Sequence, residues 1–332
     1  MNEPIEYSPV SRVMHGFFRY LDYAAHVAAL NLYSPATTSK KAMSSRLIQN
    51  YPYIEDGSRS HLLDVWVPAP FQGKSPVVFY VHGGGFTFGS KDTHRIVGKI
   101  LADHGYLTFM INYRLAPKNP YPASIEDACH ALCWVWDHLE HFGGDPERFV
   151  IAGESAGGNL AAMLAVINSY KRPELFAQEV WARQIPLAAC IPFCGWHDPG
   201  APDRYKDHPV LRQLVPVFKT LTKAILGKNW RENVEKAPLF SPLPILANQP
   251  DRPLPPFLIP VGSNDPIVGD SRRLKKALDK IGVRADFKEH KGATHAHHIL
   301  PIPYSLMREC WKDVFKFLGE PGIMGRELHA VA

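Results

Sequence analysis

A chain of 332 residues with 45% hydrophobic and 21% charged residues has the make-up of a folded globular protein, which excludes disordered and fibrous classes. At this length roughly three quarters of the surface of the unfolded chain can be buried, enough for a large core. The net charge of +5 is spread along the chain without a Lys/Arg run, which argues against a nucleic-acid partner.

The N-terminus, "MNEPIEYSPV", lacks the basic start of a signal peptide. The apolar stretch that follows carries Arg19, Asp22 and His26, so it predicts an amphipathic helix and no membrane span. Residues 1–50 read as helices with no strand. Five cysteines without a CxxC pair fit reduced thiols and a cytoplasmic location. Cys129 and Cys133, with His130 between them, read as two thiols on a buried helix face in preference to a zinc site.

From residue 62 apolar runs alternate with helical patterns. "HLLDVWVPAP" predicts an antiparallel strand at one edge. Strands follow at 76–81, 107–113, 148–153, 186–193, 255–262 and 284–290, several of them apolar at consecutive positions, as strands covered on both faces are. Helices are predicted near 92–104, 123–141, 156–169, 270–282 and 304–318. This alternation implies an α/β fold, a mostly parallel sheet flanked by helices. Residues 196–250 interrupt it with an irregular, Pro-rich insertion. The expected organisation is a helical cap segment at 1–50, a first core part at 51–195, a cap insertion at 196–250 and a second core part at 251–332.

The chemistry centres on "GESAGG", 153–158, which fits GxSxG between a strand and a helix. Gly153 and Gly157 suit a sharp reversal that exposes the Ser155 hydroxyl. A serine needs a base to take its proton as it attacks. Asp265 stands just after one later strand and His295 just after the next, the order acid then base. Asp270 competes for the acid role but reads more naturally as a helix cap. His297 and His298 compete for the base role; "HAHH" as a metal cluster is the weaker reading, with no carboxylate or thiol close by in sequence, and no metal is expected.

Attack on a carbonyl also needs donors for the oxyanion. "VHGGGFTFGS" offers backbone N–H groups at Gly83, Gly84 and Gly85 after His82, and Ala156 adds one from the start of its helix. The same loop departs from both the P-loop and the GxGxxG spacing, so nucleotide binding is not expected. Arg114 and Asp127 read as a buried ion pair, Asp145 as turn support. Phe86 and Phe88 are candidates for the substrate pocket, with Trp196, Tyr205 and Phe218 of the insertion beside them.

"HGGGF", "NYRLAPKNPYPASIEDA", "GGDPERFVIAGESAGGNLA", "FSPL", "GSNDPIVGDS" and "KGATH" occur together and in order. In these the chain resembles the hormone-sensitive-lipase-like carboxylesterases of the α/β-hydrolase fold, over about residues 50–318. The resemblance implies an eight-stranded sheet with a helical cap, Ser155 as nucleophile, Asp265 as acid, His295 as base, and Gly84, Gly85 and Ala156 around the oxyanion. His82 then shapes the glycine loop, and no cofactor is needed. The expected partner is a small ester of short to medium acyl length; a homodimer is allowed, and a noncatalytic binding protein of the same fold is the rival. Glu154, where the family more often has Asp or Thr, has no assigned role.

Overall fold

The computed structural model of the protein describes residues 45–69, 73–207, 209, 211–299 and 304–324. Residues 1–44, most of the expected N-terminal cap segment, lie outside them. Strands form where the apolar runs are. They are β1 (Arg46–Pro52), β2 (Leu62–Val67), β3 (Ser75–Val81), β4 (Leu107–Ile111), β5 (Gly144–Glu154), β6 (Leu187–Phe193), β7 (Phe257–Gly262) and β8 (Ala285–His290). They make one eight-stranded sheet in the order β1-β2-β4-β3-β5-β6-β7-β8. β2 is antiparallel to both its neighbours, and every other pairing is parallel.

β1 corrects the expectation that residues 1–50 hold no strand, and it displaces β2 from the edge it was expected to occupy. "RLIQNYP" mixes polar and apolar residues because an edge strand faces solvent, so its periodicity is weak. β3 and β7, by contrast, are buried at every position, and their apolar runs show it.

The helices are α1 (Arg95–Asp103), α2 (Ala123–His138), α3 (Ala156–Ser169), α4 (Leu175–Arg183), α5 (Val215–Leu226), α6 (Trp230–Glu235), α7 (Val268–Lys280) and α8 (Tyr304–Leu318). α2, α3 and α7 pack with Phe79, Phe109 and Ile151 on one face of the sheet. α1 and α8 pack with Tyr80, Met110 and Val150 on the other. α3 is buried over its whole length, and its glycines and alanines let it lie close against the sheet. Each fully buried aliphatic side chain in these layers contributes about 1.5–3 kcal/mol. No described helix is long and apolar enough to cross a membrane.

The chain reverses its path across the sheet at β3, with β4 on one side and β5 on the other. The carboxyl ends of β3 and β5 therefore open a crevice, the place where an open α/β sheet binds ligands. The insertion between β6 and β7, with α5 and α6, is tied to the core beside it. Asp270 is where sequence reasoning erred: α7 starts at Val268, so Asp270 is no cap but a buried anchor. Its carboxylate accepts from Arg204 at 2.7 Å, Tyr205 at 3.0 Å and the Asp198 N–H at 2.9 Å, all in the insertion.

Candidate active site

Ser155 sits between β5 and α3 with φ 56° and ψ −116°, a backbone shape that non-glycine residues rarely take. Its hydroxyl makes no cap bond to the helix it precedes. Backbone bonds hold the turn: the Ser155 N–H donates to Phe193 O at 3.0 Å, and its carbonyl accepts from Trp196 at 2.9 Å. The reversal leaves no room for side chains nearby. A Cβ on Gly157 would lie 2.1 Å from the Val81 carbonyl oxygen, and one on Gly153 would lie 2.5 Å from that of Gly157.

The glycine loop follows β3, next to Ser155 across the sheet. Gly84 has φ +114°, and its carbonyl accepts from the Thr87 and Phe88 N–H groups at 3.0 and 3.1 Å. Among the described residues, the N–H groups of Gly84 and Gly85 have no acceptor, and that of Ala156, first in α3, has no partner within its helix. His82 is buried against Tyr113, ring centroids 4.4 Å apart, with Nδ1 2.7 Å from Gly83 O. Burial and the neighbouring His94 push its pKa down to about 3, so it is a neutral donor that folds the loop back on itself. Glu154 lies beneath the loop: the Gly83 N–H and the Tyr80 hydroxyl donate to its carboxylate, and His94 Nε2 is 2.9 Å away. His94 and Tyr80 were not singled out in the sequence, since neither falls in a motif.

Asp265 and His295 come from the loops after β7 and β8. Asp265 is buried; Oδ1 accepts from the Ile267 N–H at 2.8 Å, and Oδ2 stands 2.8 Å from His295 Nδ1. The two loops are laced together by Ser263 N–H to His290 O at 3.0 Å and Asn264 N–H to Ala293 O at 2.9 Å. Burial alone would lower the His295 pKa, but the Asp265 carboxylate and the Cys194 sulfur outweigh it and hold the imidazole well above its usual 6.5. Cys194, just after β6, was missed in the sequence; its sulfur, an Asp265 oxygen and a His295 nitrogen all lie within 4.8 Å of one another. Since Phe193 pairs with Glu154 across the sheet, this cluster is next to the serine turn.

The competing histidines point elsewhere. His298 is fully buried, stacked 4.1 Å on Phe193, and His297 Nε2 is 3.0 Å from His290 Nδ1. Burial lowers both, His297 to about 4. The structure does bring a thiol to this region: ligand atoms of His290, His297 and Cys310 lie within 4.8 Å of one another, with the two imidazoles already bonded to each other. Cys129 and Cys133 are buried thiols of α2, and neither belongs to a metal-ligand group among the described residues. Arg114 and Asp127 form the expected pair, Nε to Oδ1 2.9 Å. Phe86 is buried against Trp196 and Phe240, whereas Phe88 is partly exposed; Leu221 of α5 comes within 3.3 Å of where a Gly85 Cβ would be.

Comparison with known proteins agrees with this architecture. A family model described as the alpha/beta hydrolase fold matches residues 78–299. Carboxylesterase NlhH of Mycobacterium tuberculosis is 29% identical over 73% of this chain and 72% of its own length. Esterase LipI of the same organism is 32% identical over 70% of this chain and 69% of its own. Among solved structures, the esterase of Pyrobaculum calidifontis superposes with TM-score 0.68 at 23% identity, over 93% of this chain and 97% of that one. Esterase B of Lactobacillus rhamnosis, inhibited by a tributyrin phosphonate, gives TM-score 0.70 at 20% identity over 91% and 92%. The chain belongs to the α/β-hydrolase family, in its hormone-sensitive-lipase-like branch.

Proposed function

We propose that the protein is a serine carboxylesterase that hydrolyses short to medium acyl esters through an acyl-enzyme. The observation that carries this reading is the 2.8 Å contact of His295 Nδ1 with buried Asp265, beside a serine held at positive φ. The names of the relatives, carboxylesterase and esterase, support a carboxylic ester hydrolase.

Ser155 Oγ attacks the ester carbonyl as His295 takes its proton; Asp265 orients the imidazole and stabilises its charged form. The N–H groups of Gly84, Gly85 and Ala156 receive the oxyanion, each such donor being worth about 3 kcal/mol in the transition state. Collapse of the tetrahedral adduct breaks the ester C–O bond, and the proton on His295 goes to the leaving alcohol. Water, deprotonated by His295, then attacks the acyl-enzyme and releases the acid and Ser155. The steps need no metal or organic cofactor. The insertion at 196–250 serves as a cap, with Leu221 over the glycine loop, and Phe88 of that loop, 3.9 Å from where a Gly85 Cβ would be, lines the pocket beside it.

A panel of p-nitrophenyl esters of increasing acyl length tests this. Wild type should turn over the short and medium esters best, and Ser155→Ala should lower kcat by more than about 1,000-fold. No turnover by wild type, or undiminished turnover by the variant, would sink the reading.

A further inference from the structure

Glu154 takes no part in these steps, yet it is only 2% exposed and stands next to the nucleophile. Two donors and an imidazole surround its carboxylate: the Gly83 N–H bonds to Oε1, the Tyr80 hydroxyl to Oε2, and His94 Nε2 lies 2.9 Å from Oε1. A carboxylate accepts only, with about four lone-pair sites, so it receives both bonds and has room for the imidazole contact. Oε1 also fills the space that the missing Gly83 side chain leaves, since a Cβ there would lie 2.7 Å from it and 3.1 Å from the Ser155 Cβ. These partners are themselves held. Tyr80 is in the fully buried β3, its hydroxyl 3.3 Å from His298 Nε2, and His94 stacks 5.5 Å from His82.

We infer that Glu154 is a positioning residue for the oxyanion site: it clamps Gly83, and thereby sets where the N–H groups of Gly84 and Gly85 point. The clamp joins the nucleophile strand to the glycine loop through one side chain. Its carboxylate is engaged by two hydrogen bonds and the His94 contact, so it is not a free anion opposing the one that forms on the substrate. The inference rests on the serine-esterase reading above.

Glu154→Gln tests it, because the amide turns an NH2 toward one of the groups that now face a carboxylate oxygen. The expected result is a kcat lower by about 10- to 100-fold, as for a small misplacement of reacting groups, with KM little changed. Affinity for phenylboronic acid, which forms a tetrahedral anionic adduct on Ser155, should fall in proportion, and the midpoint of the pH profile should stay in place. Glu154→Asp should restore part of the loss. A purely structural role would lower the melting temperature and leave kcat and boronate affinity at wild-type values, which overturns the inference. His94→Gln is the second variant, expected to move kcat and boronate affinity the same way to a smaller extent; wild-type values for it also overturn the clamp. Wild type is run alongside: if it hydrolyses no ester, the esterase reading fails, a result distinct from an active wild type with an unaffected variant.

Discussion

On the β3–β5 side of the site, position is set by backbone and by buried side chains such as His82, its pKa pushed down to about 3 by burial and the neighbouring His94. On the β7–β8 side, position depends on one contact between two ionisable groups, Asp265 and His295, the latter 29% exposed at its side chain. In the mechanism proposed above, the first side presents amides to a charge that appears only in the transition state, and the second gains and loses a proton in every cycle. The pH dependence of the enzyme should therefore come from the second side, and its tolerance of small steric changes should be least on the first.

The largest test of that contrast is Asp265→Asn, which should lower kcat by about 10,000-fold, the scale seen when a triad acid is neutralised. The base must be neutral to accept a proton, so kcat/KM of the wild type should rise with pH through a midpoint above 6.5. Removing the carboxylate that raises His295 should shift that midpoint down in the variant; an unmoved midpoint would mean that another group sets the profile. Next, Gly157→Ala should cost about 3 kcal/mol of stability, the upper range for overpacking, read from the urea midpoint. A neutral outcome there would show that the turn has more slack than the 2.1 Å approach to Val81 allows. The smallest effect is expected for Asp270→Asn, about 1.5 kcal/mol from weakened charged hydrogen bonds. Because Arg204, Tyr205 and Asp198 of the insertion bond to it, beside Arg273 of its own helix, it should raise KM more than it lowers kcat.

Local signals made most of this molecule readable. The interior strands were legible because burial on both faces leaves consecutive apolar residues, and the serine turn because glycine is required at fixed offsets from Ser155. β1 was not, since an edge strand keeps polar residues, nor was α4, a nine-residue helix with only Phe176, Ala177 and Val180 buried. Asp270 was misread for a different reason: a carboxylate near a helix start looks the same whether it caps the helix or receives Arg204 from 66 residues away. Glu154, His94 and Tyr80 share that limit, and so do His290, His297 and Cys310. Glu154 meets Tyr80 and His94 across 60 residues or more, and even the step of seven residues from His290 to His297 follows no motif spacing.

The positive φ of Ser155 carries a further consequence. The polymer would be more comfortable with glycine at that position, where no Cβ resists the conformation. With Ser155 as the proposed nucleophile, selection for turnover and selection for a relaxed backbone pull in opposite directions at a single residue, and glycine there should trade activity for stability.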